Sequence, residues 1–515
     1  MWIEAIDLTM ANPSSCENEP FDFSEHTFMI NNLCSRRHVL HSSAFGLSTL
    51  GAAWLMQQDG LLAEQSGAPP KPALEPQRFD LLPKQPPLQA KATAMISMFM
   101  IGGPSQIDLF DPKPELTRRN GQNFEGDVQF DNAAQASRQI MGPAWRFRPR
   151  GECGMELSDL VPHLSTIADE ITLIRSMHSS VNNHLPGVYA LNTGAGVGGR
   201  ATLGSWLTHA LGSETQELPA FVALTHPSGL PLIGGENWTS GSLPSIYQGT
   251  VVRPKEPRIL NLDPPLHLKG RAQARQLDFL RRMNQKHQEQ HAGESDLDAR
   301  IASYELAARM QLSANDAFDI AQETEATHKM YGIDQDVTRD YGTRCLISRR
   351  LVERGVRFVQ IFNNGQSWDH HSAILTELPN RCKEIDQPAA ALVKDLKQRG
   401  LLDGTLVHWG GEMGRLPTIQ IPVGPDGRNN VGRDHNTFGF SMWTAGGGMR
   451  GGHVHGATDE FSHHAVEDIV QHYDWLATVL HLFGLDHKQL HFQAGTRRLA
   501  LVESAEAKIV QKILA

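Results

Sequence analysis

Acidic side chains and histidines recur in four short clusters, each following an apolar run. The first is Gly102-Gly103-Pro104-Ser105-Gln106-Ile107-Asp108-Leu109-Phe110-Asp111-Pro112, and the second is His178-Ser179-Ser180-Val181-Asn182-Asn183-His184. The third is Trp368-Asp369-His370-His371; the fourth joins Gly410-Gly411-Glu412-Met413-Gly414-Arg415 to Gly432-Arg433-Asp434-His435. Carboxylates mixed with imidazoles suit zinc, manganese or another divalent ion, whereas calcium and magnesium prefer oxygen alone. In Asp369-x-His371 an extended backbone puts both side chains on one face, where they can share an ion. Asp108 and Glu412 read equally well as helix caps. Arg415 and Arg433 either hold an anionic substrate or form salt bridges with Glu412 or Asp434. The His453, His455, His463 and His464 group reads as a solvated loop, Trp409 and Met413 as core, and Cys153, Cys345 and Cys382 as buried thiols.

The elements that must position these clusters alternate between strands and helices. Met95–Met100 is a continuous run, apolar but for Ser97, ending in a Gly-Gly-Pro turn, the pattern of a strand buried on both faces. Ile171–Met177, Phe221–Leu224, Phe358–Phe362, Thr405–Trp409 and Phe440–Thr444 read the same way. Helical periodicity marks Asp336–Glu353 and Ile385–Leu396, and a charged stretch, Arg271–Thr327, is expected to lie as helices over the sheet. The fold class is therefore α/β with a mostly parallel central sheet covered on both faces. In such sheets a ligand site lies beyond the carboxyl ends of the strands, where all four clusters fall.

Composition narrows the function classes. The chain has 515 residues, 40% of them hydrophobic and 20% charged, enough to bury a large core. A net charge of −10 leaves no surplus of Lys and Arg for phosphate backbones, so nucleic acid is not an expected partner. Five scattered cysteines (Cys16, Cys34, Cys153, Cys345, Cys382) make neither a disulfide framework nor a zinc knuckle. Of the 24 histidines, half lie after residue 360, which concentrates titratable ligands in the last third.

Residues 1–63 are expected to be an export region. Ser35-Arg36-Arg37-His38-Val39-Leu40 precedes a short apolar stretch, Ser43–Met56, in the order of a secretion signal, and the paired arginines resemble a twin-arginine signal. That stretch is shorter than the roughly 20 residues of a membrane span. A start at Met29 would give an ordinary n-region and leave residues 1–28 outside the protein. Residues 64–92, with seven prolines from Pro69 to Pro87, read as an extended tether. One domain, 93–515, is expected to follow, with no membrane span.

Four phrases carry a family resemblance: Gly-Gly-Pro-Ser-Gln-Ile-Asp at 102–108, Trp-Asp-His-His at 368–371, Gly-Glu-Met-Gly-Arg at 411–415 and Gly-Arg-Asp-His at 432–435. From about Met95 to Leu485 the chain resembles an uncharacterised family of exported, sulfatase-like proteins, related to the alkaline-phosphatase superfamily and known as a domain of unknown function. The resemblance implies an alkaline-phosphatase-like three-layer fold. Ser180, three residues before Asn183 and followed by His184 and Leu191-Asn192-Thr193-Gly194, resembles the nucleophile position of the phosphodiesterase branch. Asp108, Asp369, His371 and His435 resemble its metal ligands. Where that superfamily has an Asp-His pair, this chain has Glu412-Met413. A second ion would then rely on Asp108, Ser180 and Glu412, with Asp434 or His184 filling the gap. One or two divalent ions, zinc being the best match, are the implied cofactor. Asn183, His184, Arg415 and Arg433 are the expected substrate contacts. No cysteine has the Cys-x-Pro-x-Arg setting of sulfatases proper.

Two functions follow. The first is an exported metal-dependent hydrolase of phosphate or sulfate esters, its substrate a small molecule or a polysaccharide. The alternative is a non-catalytic exported binding protein that retains the fold; loss of the Asp-His pair favours it.

Overall fold

The run Met95-Ile96-Ser97-Met98-Phe99 shows how the domain is layered. In the computed structural model, strand β1 (Ala94–Phe99) sends Met95 and Phe99 to one face of the sheet and Ile96 and Met98 to the other. Each set enters its own hydrophobic cluster, so no position needs a polar residue to meet water. Residues 79–259, 262, 270–291, 295–421 and 430–515 are described. The Arg36-Arg37 signal and the first part of the Pro-rich segment lie outside them.

All six apolar runs are strands of one sheet. In chain order, β2 is Ala136–Ile140, β3 Ile171–His178, β4 Phe221–Leu224, β5 Thr250–Val252, β6 Phe358–Phe362 and β7 Thr405–Gly410. They are followed by β8 Gly414–Gln420, β9 Gly432–Asn436, β10 Phe440–Ala445, β11 His453–His455 and β12 Val470–Gln471. Among the described residues the central sheet has nine strands in the order β11-β3-β10-β7-β1-β6-β4-β5, with β12 also pairing β3. β10 runs antiparallel to both its neighbours; every other pairing in this sheet is parallel. β8, β9 and β2 make a separate antiparallel sheet beside the strand ends.

Helices cover both faces. One cluster joins the sheet to Asp336–Glu353 and Ile374–Gln398; the other joins it to α1 (His184–Thr193), Leu203–Leu211 and His472–Leu482. The fold is thus a mixed α/β architecture with a mostly parallel central sheet between helical layers. The helix over Ile374–Gln398 begins eleven residues before its expected start; Pro379, which marks a helix boundary in sequence, lies inside it without ending it. Arg271–Gln290 and Ser295–Phe318 are helical, but Arg271–Gln290 rests on the second helix rather than on the sheet, leaving Phe279, Leu280 and Met283 exposed. Cys345 and Cys382 are buried, whereas Cys153 is exposed.

Residues 79–92 run along the domain, with Lys84, Leu88 and Lys91 donating backbone hydrogen bonds to Leu211, Gly484 and Leu482. Among the described residues no helix is long and apolar enough to cross a membrane.

Candidate metal centre

β1, β3, β6 and β7 are parallel and end on one edge, which gathers the loops that follow them. The loop after β6 carries Asp369 and His371, the turn after β7 carries Glu412, and the loop after β3 leads into α1, which starts at His184. Asn183 caps that helix by accepting a hydrogen bond from the Leu185 amide at 3.2 Å, which aims the first turn at the cluster. β9 contributes His435, opposite Arg415 of β8. Close approach of these loops requires glycine. Gly102 has φ +111°, and a Cβ there would lie 2.5 Å from the Asp369 amide nitrogen.

His184, Asp369, His371 and His435 each offer one ligand atom, and these four atoms lie within 4.8 Å of one another. Three imidazole nitrogens surround a single carboxylate oxygen. Asp369 Oδ1 is 3.0 Å from His371 Nε2, 3.2 Å from His184 Nε2 and 3.5 Å from His435 Nε2. The two facing nitrogens, His371 Nε2 and His435 Nε2, are 2.9 Å apart.

The outer nitrogens decide what the inner ones can do. His184 Nδ1 lies 2.6 Å from Glu412 Oε1, and His371 Nδ1 lies 2.6 Å from Gln420 Oε1. Both partners are acceptors, so each Nδ1 carries a hydrogen, and a ring that holds no second proton turns an Nε2 lone pair towards Asp369. Lone pairs facing a carboxylate repel unless a cation lies between them. His184 Nε2 and His435 Nδ1 are buried without a hydrogen-bond partner, as is Glu412 Oε2. Imidazoles held from behind by a carboxylate or an amide are the usual surroundings of a metal-ligating histidine. The donors fit a divalent ion such as zinc: three nitrogens and one oxygen for a tetrahedral shell.

Electrostatics point the same way. Burial opposes charge on His184, but the carboxylates of Asp369 and Glu412 outweigh it and push its pKa up to about 9. A proton there takes up positive charge where an ion would sit. Burial also works against the Asp369 carboxylate, yet Arg415 and the imidazoles hold it far below the usual carboxylate range. For His435, burial lowers the pKa, aided by the Arg415 and His184 charges and opposed by Asp369.

The other residues expected at a site fall in different places. Asp108 is fully buried and paired with Arg433, Oδ2 to Nε at 2.9 Å, and accepts a 2.6 Å bond from Ser105. Arg415, also fully buried, pairs with Asp369 at 2.7 Å, so the two arginines bridge to Asp369 and Asp108 and not to Glu412 or Asp434. Glu412 stands behind His184 and also accepts from the Gly102 amide at 2.9 Å. Asp434 accepts the amides of Asp131 and Asn132 and lies 3.8 Å from His371 Nδ1; with Asp131, His371 and His435 it makes a second group of convergent donors. Ser180 and Asn183 are exposed in the loop before α1, and among the described residues neither is bonded to the four ligands. Gln420 and Gln366, which holds Asp369 Oδ2 at 2.8 Å, were not expected. Gln366 lies three residues before Asp369, so its nearness is readable from spacing; Gln420, an uncharged residue in a strand, carries no such signal. The expected solvated histidine group is divided: His455 and His463 are buried, His453 is half-buried and His464 is exposed.

Residues 92–514 match a family described as a protein of unknown function, DUF1501. The chain belongs to that family. No curated protein matches this DUF1501 chain. Among solved structures it is similar to the sulfatase PsFucS1 from Pseudoalteromonas sp., at 13% identity and a TM-score of 0.34, over 76% of this chain and 68% of that one. It is also similar to the phosphonate monoester hydrolase SpPMH from Silicibacter pomeroyi, at 9% identity and 0.30, over 76% and 73%. A third is the lipoteichoic acid synthase LtaP from Listeria monocytogenes, at 10% and 0.29, over 80% and 75%. Likeness at these scores carries no weight for substrate or mechanism.

Proposed function

We propose that this DUF1501 protein is a metal-dependent hydrolase of phosphate or sulfate esters. The observation that carries the reading is the convergence of three Nε2 atoms on Asp369 Oδ1, with two of the rings fixed from behind by Glu412 and Gln420. A divalent ion bound there would supply Lewis-acid stabilisation of charge on the transferring group. Zinc suits the donor set. The chain's own residues hold the framework: Arg415 and Gln366 fix the Asp369 carboxylate, and Arg433 with Asp108 braces β9. Ser180, exposed in the loop before α1, is the proposed nucleophile; its Oγ would attack phosphorus or sulfur, expel the alcohol and form an ester that water then hydrolyses. Asn183 is a proposed substrate contact, and small-molecule or polysaccharide esters are the proposed substrates. Export by the Arg36-Arg37 signal belongs to the same reading. Replacing both arginines by lysine should retain the protein inside the cell, and unchanged fractionation would remove that element.

The experiment is hydrolysis of aryl phosphate and aryl sulfate by zinc-loaded protein. Activity should vanish on chelation and return with zinc. Ser180→Ala should keep the ion and lose turnover; full activity in that variant would pass the attack to water. A specific observation favours the non-catalytic binding protein instead: the Arg415 guanidinium already neutralises Asp369 Oδ1. Protein that binds no divalent ion and hydrolyses neither ester would establish that alternative.

A further inference from the structure

A third group of donors lies outside the site just described and shares no residue with it or with the Asp131 group beside it. Asp459, His463 and His464 bring one carboxylate oxygen and two imidazole nitrogens within 4.8 Å of one another. His464 Nδ1 is 3.4 Å from Asp459 Oδ2. The Asp459 carboxylate accepts three backbone hydrogen bonds, from Phe461 at 3.0 Å, His463 at 2.8 Å and His464 at 3.1 Å. A carboxylate has about four lone-pair positions, so one is left over.

His463 makes this more than a tight turn. It is 1% exposed, and neither ring nitrogen has a hydrogen-bond partner. Phe124 and Phe438 stand edge-on to its ring at 5.6 and 6.1 Å, so those sides offer nothing polar. A buried imidazole bonded at neither nitrogen is costly unless something binds it, and the other two donors, Asp459 and His464, lie within reach of it. Their side chains are 25% and 46% exposed, which gives an ion a way in.

We infer that Asp459, His463 and His464 form a structural site for a borderline-soft divalent ion such as zinc. Two imidazoles, one carboxylate and a water would complete a four-coordinate shell. The site braces the loop that supports β9. Backbone carbonyls of Ser462 and His463 accept from Asn436 Nδ2 at 3.3 and 2.9 Å, and Ser462 also accepts from Gln106 Nε2 at 2.9 Å. Asn436 directly follows His435, so an ion here would steady a strand of the first centre without touching substrate.

The inference is independent of the hydrolase reading and is tested by zinc stoichiometry on the full chain. Wild type should hold two ions, His371→Ala one, His464→Ala one and the double variant none. Zinc should still raise the melting temperature of His371→Ala, and should not raise that of the double variant. His464 is a surface residue, so its replacement leaves the fold intact even where His371→Ala does not fold. A His464→Ala protein with the same zinc content as wild type overturns the site, whatever becomes of the first one. So does a folded His371→Ala protein that binds no zinc.

Discussion

Two buried arginines on neighbouring strands each meet an aspartate, Asp108 from the short helix Gln106–Leu109 after β1 and Asp369 from the loop after β6, and the outcomes differ. Asp108 is closed. Its oxygens are taken by Arg433 Nε and Nη2 at 2.9 and 3.3 Å, by Ser105 at 2.6 Å and by the Ala144 amide at 3.4 Å. Arg433 spends its remaining donors on the carbonyls of Met141, Leu416 and Gly142. Asp369 is open. Arg415 and Gln366 hold it, yet Oδ1 still faces three imidazole nitrogens. An Asp-Arg pair at a strand end is therefore a strut or part of a binding centre according to what else faces the carboxylate. In Gly432-Arg433-Asp434-His435 a strut and a ligand candidate stand two residues apart.

Breaking the strut should have the largest effect. Arg433→Met leaves a carboxylate buried without its counter-charge, which costs about 3–5 kcal/mol. Urea unfolding should show it, and Asp108→Leu with Arg433→Met should recover most of the loss. A single variant that unfolds at the wild-type midpoint would dissolve the contrast. On the open side, His371→Ala should lower zinc affinity by at least roughly 100-fold, more than loss of an outer partner, and esterase activity should fall with it. Equilibrium dialysis of the folded variant checks this.

Glu412→Gln sharpens the comparison, because it keeps the shape and removes the charge behind His184. Zinc affinity should drop about 10–100-fold; unchanged affinity would mean that Glu412 does not orient the ring. The smallest effect is a pH slope. In ion-free protein the folded pKa of His184, about 9, lies above its ordinary value of 6.5. Its stabilisation is therefore full below about pH 6.5 and is lost as the pH rises through 9. Zinc must displace that proton, so affinity should rise by up to about tenfold per pH unit across this window. Calorimetry in two buffers of different ionisation heat should report one proton released near pH 7.5.

The central sheet was legible because strands covered on both faces are written as mainly apolar runs; Phe221–Leu224 and Phe358–Phe362 coincide with theirs residue for residue, Gln360 included. Packing partners were less so. Periodicity marks Arg271–Gln290 as a helix but does not say that it leans on another helix and leaves Phe279 exposed. At the candidate centre, the nearness of Asp369, His371 and His435 was readable from strand ends. That His184 faces them depends on the Asn183 cap, and that Asp108 turns away depends on Arg433, over three hundred residues later. Gln420 is an uncharged strand residue whose role exists only in three dimensions.

The central claim is that an ion belongs among His184, Asp369, His371 and His435. Crystals soaked in zinc and measured at the zinc absorption edge test it directly. The account predicts an anomalous peak about 2.0–2.2 Å from the three Nε2 atoms and Asp369 Oδ1, with His184 Nδ1 still bonded to Glu412. No peak there, with His184 Nε2 hydrogen-bonded to Asp369 and Arg415 still on Oδ1, would contradict it.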